Sequence, residues 1–168
     1  KNKIVHSRWN KIYKKSLLIE CLQYLNPKIT MGEDLNLNFV AFYKAHKVAY
    51  INKPLYFYRM VDNSMSKAKK NFWPSYSLLI EALVNFINEE HITEPAVKNV
   101  LHKYIFEFYK FTAQYFQSTD EPEKIKELLK EKLLIDNYFN VPPTNLRQFL
   151  LHCLYKLRLE KLVIKYTF

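Results

Sequence analysis

A single glycine, Gly32, serves all 168 residues. Most glycine-rich phosphate loops are ruled out on that ground, and no nucleophile elbow is present. The two cysteines, Cys21 and Cys153, lie far apart without a CxxC partner, which indicates neither a zinc site nor a disulfide framework. A reducing cytosol is the default setting for such usage. His6, His46, His91, His102 and His152 are scattered, and no pair stands at ligand spacing. No stretch approaches the ~18–20 apolar residues that a bilayer-spanning helix needs. The opening Lys1-Asn2-Lys3-Ile4-Val5 lacks an initiator Met and a signal-peptide pattern, and reads as a chain that begins in the middle of something. Acidic residues are also few: 16 Asp+Glu against 26 Lys+Arg leave a formal charge of +10. That excess favours polyanions, whether nucleic acid, anionic lipid headgroups or phosphorylated substrates.

What the chain has is apolar and aromatic mass. Hydrophobic content of 49% and aromatic content of 16% exclude disorder and suffice for one real core. Residues 8–20 read as a short strand running into a helical turn, with Trp9, Ile12 and Tyr13 as buried candidates. Thr30 and Glu33 fit the S/T-x-x-E capping box, which starts a helix near residue 31 that runs to about Ala45. Residues 47–51 and 54–61 read as strands, with Pro54 at the entry of the second. Residues 62–71 are polar and basic and make the best boundary. Beyond them the period is helical: a helix over 74–88 with Pro74 in its first turn, and one capped by Thr93 with Val97, Val100, Leu101, Tyr104, Ile105, Phe108 and Thr112 inward. A third is capped by Thr119, with Ile125, Leu128, Leu129 and Leu133 inward. After a loop over 136–143, a last helix is capped by Thr144 and runs to about residue 165. The expected fold class is α/β, predominantly helical, with a mixed part over 1–66 and a helical region over 67–168.

The stretch Gly32-Glu33-Asp34-Leu35 organises the rest. Glycine tolerates backbone angles that a Cβ forbids, so a lone one marks a turn that nothing else could make. Leu35, Phe39, Phe42 and Tyr43 follow at the spacing of one helical face. Two carboxylates therefore fall on the first turn of a helix, where free amides and the dipole stabilise the anion. Such a group suits a base that takes a proton from an attacking hydroxyl. Ordinary capping accounts for the same pair equally simply. Arg59 ends the aromatic run Tyr56-Phe57-Tyr58 and is followed by Ser64 and Ser66, a set suited to gripping phosphate oxygens. A solvated edge-strand arginine is the plain alternative.

Taken in order, Trp9-Asn10-Lys11-Ile12-Tyr13-Lys14-Lys15, Gly32-Glu33-Asp34-Leu35, Pro54-Leu55-Tyr56-Phe57-Tyr58-Arg59 and Ser64-x-Ser66 resemble the acceptor half of a family 2 glycosyltransferase of the GT-A type. The resemblance covers residues 8–66. It implies Asp34 as catalytic base, with Glu33 supporting it through the cap or touching acceptor, and Arg59 as a stabiliser of diphosphate charge. Trp9 would stack on a sugar ring, and Lys11, Ser64 and Ser66 would contact substrate. A nucleotide-sugar donor and a saccharide or lipid-linked acceptor follow as partners, in cell-surface polysaccharide or glycoconjugate assembly at the cytoplasmic face of the membrane. A divalent metal, Mg or Mn, is implied for the whole enzyme. Its Asp-x-Asp motif belongs before Trp9, where only eight residues remain, so the metal ligands are not expected in this chain and the chain alone is expected to be inactive.

The C-terminal helix carries a second suggestion. Leu146, Phe149, Leu150, Cys153, Leu154 and Leu157 share one face, and Arg147, Lys156, Arg158 and Lys161 much of the other. Such a helix closes a bundle with a solvated basic side, the preferred reading, or lies through residues 144–165 on an anionic membrane surface. The rival class for the whole chain is a basic helical module that binds a membrane or nucleic acid without catalysis. Nucleic acid is not expected as a partner, because most aromatics fall at core spacing, as at Tyr104 and Phe108, and no named motif is present.

Overall fold

A computed structural model describes residues 7–57, 59, 70–143 and 145–167. The chain is predominantly helical. After a turn at residues 8–10 come α1 (Lys15–Cys21), a 3-10 turn (Leu22–Tyr24) and α2 (Glu33–Lys44). Residues 45–57 are irregular, and α3 (Trp73–Glu89), α4 (Pro95–Ser118) and α5 (Pro122–Leu128) come next in the order. A short α6 (Lys132–Leu134) widens into a π turn (Ile135–Phe139), and α7 (Leu146–Lys156) and α8 (Glu160–Thr167) complete the order.

The long helices follow from spacing. In α3, Tyr76, Leu79, Ile80, Leu83, Phe86 and Ile87 are buried, and in α4, Leu101, Ile105, Phe108, Tyr109, Thr112, Ala113 and Phe116 are buried. Both sets are single stripes of a 3.6-residue helix. Pro74, Pro95 and Pro122 each stand in a first turn, where a missing N–H costs nothing. Three helices end in a left-handed residue that is not glycine: His91 (φ 51°), Asp120 (φ 55°) and Arg158 (φ 56°). Each is followed by the long return bond of a Schellman ending, Ile92 N–H to Ile87 O at 2.9 Å, Glu121 N–H to Phe116 O at 2.8 Å and Leu159 N–H to Leu154 O at 2.9 Å. A chain with one glycine makes these stops with residues that resist the geometry, and the recovered hydrogen bonds offset the strain.

One core runs from Cys21 through α2, α3 and α4 to Val163. The Phe86 ring meets Tyr24 (4.8 Å), Tyr43 (5.6 Å) and Phe39 (6.2 Å) edge-on, which seats α2 on α3. Beside it the Lys44 ammonium lies 2.5 Å from Glu90 and 3.6 Å from Glu20. Tyr24 donates to the same Glu90 carboxylate, which is held below the usual carboxylate range first by Lys44 and then by that phenol. This group braces α1, α2 and α3 together. The boundary expected between residues 66 and 67 lies outside the described residues.

Of the short strand running into a helical turn expected over 8–20, the helical turn forms as α1 and the strand does not; the strands expected over 47–51 and 54–61 are not formed among the described residues either. Arg8 to Lys11 close a turn instead, with Lys11 N–H to Arg8 O at 3.1 Å. A strand's N–H and C=O groups need a neighbouring strand, and residues 47–57 have none: Val48, Tyr50, Ile51, Leu55 and Tyr56 are exposed and Phe57 is 96% exposed. Of the buried candidates near the N-terminus, Ile12 is 99% exposed, Trp9 is also exposed, and only Tyr13 packs on the core. The capping assignments also change. Glycine 32 itself is the N-cap of α2. Among the described residues no side chain caps α2; the Thr30 amide that Glu33 was expected to serve donates instead to Ser75 Oγ of α3 at 3.0 Å, as does the Met31 amide at 2.8 Å. Glu94 and Glu121 precede α4 and α5 in place of Thr93 and Thr119. Asn145 caps α7, accepting from Gln148 N–H at 2.9 Å, and Thr144 lies outside the described residues. The loop expected over 136–143 begins as the π turn, and the single last helix is two, broken at Arg158.

In α7, His152 is buried between Tyr138 (5.4 Å) and Phe139 (5.6 Å). Burial pushes its pKa down, helped by the charges of Lys156 and His102; burial and Lys98 push His102 down too. Both imidazoles are thus favoured neutral in the fold. Their contribution to stability is complete above the unfolded histidine pKa of about 6.5 and is lost as pH falls below it through the lower folded values. Thermal melts between pH 7.5 and about pH 5 are expected to show falling stability, and His152→Gln should flatten that fall; an unchanged slope would remove His152 as its source.

Candidate functional site

Gly32 sits at φ 93°, in the left-handed region that favours glycine. Its carbonyl accepts from Leu35 and Asn36 N–H, both at 3.0 Å, so α2 starts at once and Glu33 and Asp34 occupy its first turn. A helix beginning is rich in unsatisfied amides and partial positive charge, which suits both acids. Against them lies Arg8, delivered by the turn at residues 8–10. The Arg8 Nε–H donates to Asp34 Oδ1, the Arg8 backbone N–H donates to Asp34 Oδ2 at 3.2 Å, and the guanidinium stands 3.6 Å from Glu33 Oε1. One arginine therefore holds both carboxylates.

The surroundings are polar and aromatic. The Lys11 ammonium donates to Ser7 O at 2.6 Å and Asn10 Oδ1 at 2.8 Å. Partial burial pushes its pKa down, and the Asp34 charge opposes that shift. Tyr13 donates to Asn38 Oδ1 of α2, and burial, reinforced by Asp34, pushes its phenol up. Trp9 stacks on Tyr56 at 4.6 Å with 28° between the rings, and Trp9 remains 41% exposed. The Asp34 side chain is 30% exposed and the Glu33 side chain 40%. A carboxylate offers about four lone-pair positions, and Arg8 uses two of those on Asp34. The remainder can accept a hydrogen bond, and then a proton, from a hydroxyl group at the surface.

Of the residues singled out in the sequence, Glu33, Asp34 and Lys11 come together here, and Trp9 is the neighbour of Arg8. Arg59 is exposed, and no hydrogen bond or ion pair among the described residues joins it to Glu33 or Asp34. Ser64 and Ser66 lie outside the described residues. Sequence reasoning missed Arg8, whose one signal is its place immediately before the Trp9 motif, and gave Tyr56 no role of its own. No group of three or more His, Cys, Asp or Glu that would hold a metal ion is found among the described residues. Glu33 and Asp34 are already engaged by a guanidinium, so this pair does not fit a divalent ion.

Two concavities lie away from the acids. One, of about 230 Å³, is lined by Tyr24, Asn26, Glu81, Asn85, Phe86 and Glu89. The other, of about 300 Å³, is lined by Phe139, Pro142, Pro143, Phe149, His152 and Lys156 among others. With side chains 30–48% exposed, the Arg8–Glu33–Asp34 group lies at the surface. No match to the chain was found among protein-family models, curated proteins or solved structures.

Proposed function

We propose that this chain is the C-terminal, acceptor-side portion of an inverting glycosyltransferase that moves a sugar from a nucleotide-sugar to a hydroxyl of a saccharide or lipid-linked acceptor. The observation that carries the reading is the partly exposed Asp34 carboxylate, fixed by Arg8 on the first turn of α2, with the Trp9–Tyr56 rings in the segments next to it. In the reaction, the acceptor hydroxyl gives its proton to Asp34. Its oxygen attacks the anomeric carbon from the side opposite the leaving group, and the bond to the diphosphate breaks with its electron pair on the nucleoside diphosphate. Configuration at the sugar carbon inverts. Arg8 positions the two Asp34 oxygens and keeps Glu33 as a second partner when Asp34 becomes neutral. Trp9, 41% exposed, would meet the apolar side of a sugar. Arg59 and the metal of the whole enzyme would serve the diphosphate, a role that the family resemblance alone supports.

The test is a transfer assay on the whole enzyme with candidate nucleotide-sugars, following release of nucleoside diphosphate as acceptor is added. Trp9→Ala is expected to raise the acceptor KM by up to about tenfold, the value of roughly 1.5 kcal/mol of aromatic contact, and to leave the donor KM unchanged. Absence of acceptor-dependent release from any nucleotide-sugar would sink the transferase reading. A donor KM that moves with the acceptor KM would remove Trp9 from the acceptor side.

A further inference from the structure

Of the α7 face expected to turn inward, Cys153 and Leu154 are half-buried and the rest turns outward. Leu146 is 74% exposed, and Phe149, Leu150 and Leu157 are exposed as well, while Gln148, Leu151 and His152 face the core. Leu146, Phe149, Leu150 and Leu157 stand at i, i+3, i+4 and i+11, which is one stripe on the side of the helix opposite its buried residues. After the turn at Arg158, Leu159, Leu162 and Tyr166 add exposed apolar surface, and Val163 of α8 is buried. A solvated bundle helix normally shows the reverse pattern.

The charge around this surface has one sign. From residue 145 onward the basic residues are Arg147, Lys156, Arg158, Lys161 and Lys165, against the single acid Glu160. Arg147 is occupied as a brace: it donates to Tyr166 O at 3.4 Å and lies over the Phe106 ring at 5.2 Å, tying α8 and α4 to α7. Lys156, Arg158 and Lys165 are exposed beside the apolar side chains. No helix among the described residues is long and apolar enough to cross a membrane. At 1.5 Å per residue the 11 residues of α7 reach only about 16 Å.

We propose that the α7–α8 pair docks flat on an anionic bilayer surface, with Leu146, Phe149, Leu150 and Leu157 entering the headgroup–acyl boundary and Lys156, Arg158 and Lys165 meeting lipid phosphates. An apolar stripe with cations beside it matches a surface that is apolar below and negative above. The proposal is independent of the transferase reading, since neither Asp34 nor Arg8 takes part in it.

The test is sedimentation of the 168-residue chain with vesicles made of equal parts phosphatidylglycerol and phosphatidylcholine, compared with phosphatidylcholine alone. Binding is expected only to the anionic vesicles, and to be lost in about 0.5 M NaCl, where the screening length is roughly 4 Å. Leu146→Ser/Leu150→Ser, on the solvent side of a folded helix, should weaken partitioning more than about tenfold. Lys156→Glu/Arg158→Glu should do the same with the apolar stripe intact. Circular dichroism melts report whether each variant remains folded, and the charge pair serves as the second variant if the serine pair does not. Equal binding to both vesicle types, no binding at low salt, or full binding by a folded charge-reversed variant would overturn the proposal. Sedimentation equilibrium showing a dimer that the serine pair abolishes, without vesicle binding, would assign the stripe to a second copy of the chain instead.

Discussion

Asp34→Asn is expected to lower sugar transfer by the whole enzyme at least about a hundredfold and up to about ten-thousandfold, the range over which positioned general bases act. The substitution keeps the shape of the side chain. Its amide oxygen can still accept from Arg8 Nε–H or backbone N–H, so the turn at residues 8–10 has a reason to stay in place. What disappears is the capacity to take a proton. Donor affinity should stay within about twofold, because that loss falls on the acceptor hydroxyl and not on the nucleotide. Steady-state kcat, together with donor binding measured by calorimetry, separates the two. Transfer that persists within about tenfold, less than ~1.4 kcal/mol on the barrier, would remove Asp34 as the base. A loss of donor affinity as large as the loss of kcat would point to a disturbed fold at the start of α2.

Arg8 decides how that result is read. With Asp34 neutral, the guanidinium still has Glu33 at 3.6 Å, so one acid of the pair continues to balance it. The ion pairs are partly exposed, with the Arg8 side chain at 48%, so solvent and salt screen them and their contribution to stability is small. The arrangement therefore matters for orientation more than for holding the fold together.

The pair Glu33–Asp34 was legible in the sequence because its cause is local: one glycine, two acids and an apolar period that starts at once. Arg8 was not, because it meets Asp34 across 26 positions and nothing in a single sequence names the partner of a cation. The same division runs through the fold. Leu101, Ile105, Phe108, Thr112, Ile125, Leu128 and Leu129 are buried as their spacing implies, Val97, Tyr104 and Leu133 are half-buried, and Val100, expected inward with them, is exposed. Residues 47–57 carry the composition of strands, yet a strand is made by its neighbour, and no local pattern supplies one. In α7 the periodicity grouped six residues on one face, of which Leu146, Phe149, Leu150 and Leu157 are exposed together, while Cys153 is half-buried and Leu154 packs on the core. Period gives which residues stand together and leaves open which way they point. There Gln148 and His152 are buried while leucines meet solvent, a reversal no hydropathy rule would offer. The capping box failed for a related reason: Ser75, on a helix more than forty residues away, takes the Thr30 amide that Glu33 was expected to serve.

Gly32→Val is expected to destabilise the chain by about 2–6 kcal/mol, combining a backbone cost of roughly 1–3 kcal/mol with an overpacking cost of similar size. Two separate obstacles meet at this residue. At φ 93° any L side chain is strained, and a β-branched one most of all. A Cβ placed there would also stand 2.6 Å from Leu79 Cδ2, and Leu79 is fully buried in α3 with little room to withdraw. For a chain of this size each kcal/mol lowers the melting temperature by about 2–4 °C, so calorimetry should find a fall of roughly 4–24 °C. The two obstacles can be separated. Leu79→Ala alone should cost about 2–5 kcal/mol through the cavity it leaves. Combined with Gly32→Ala it should cost less than the sum of the single changes, because the shortened side chain no longer opposes the new Cβ. What remains of the glycine effect in that background measures the backbone strain alone. Simple additivity would show that the steric contact carries no weight, and a loss below about 0.5 kcal/mol for Gly32→Val would show that the turn does not require glycine.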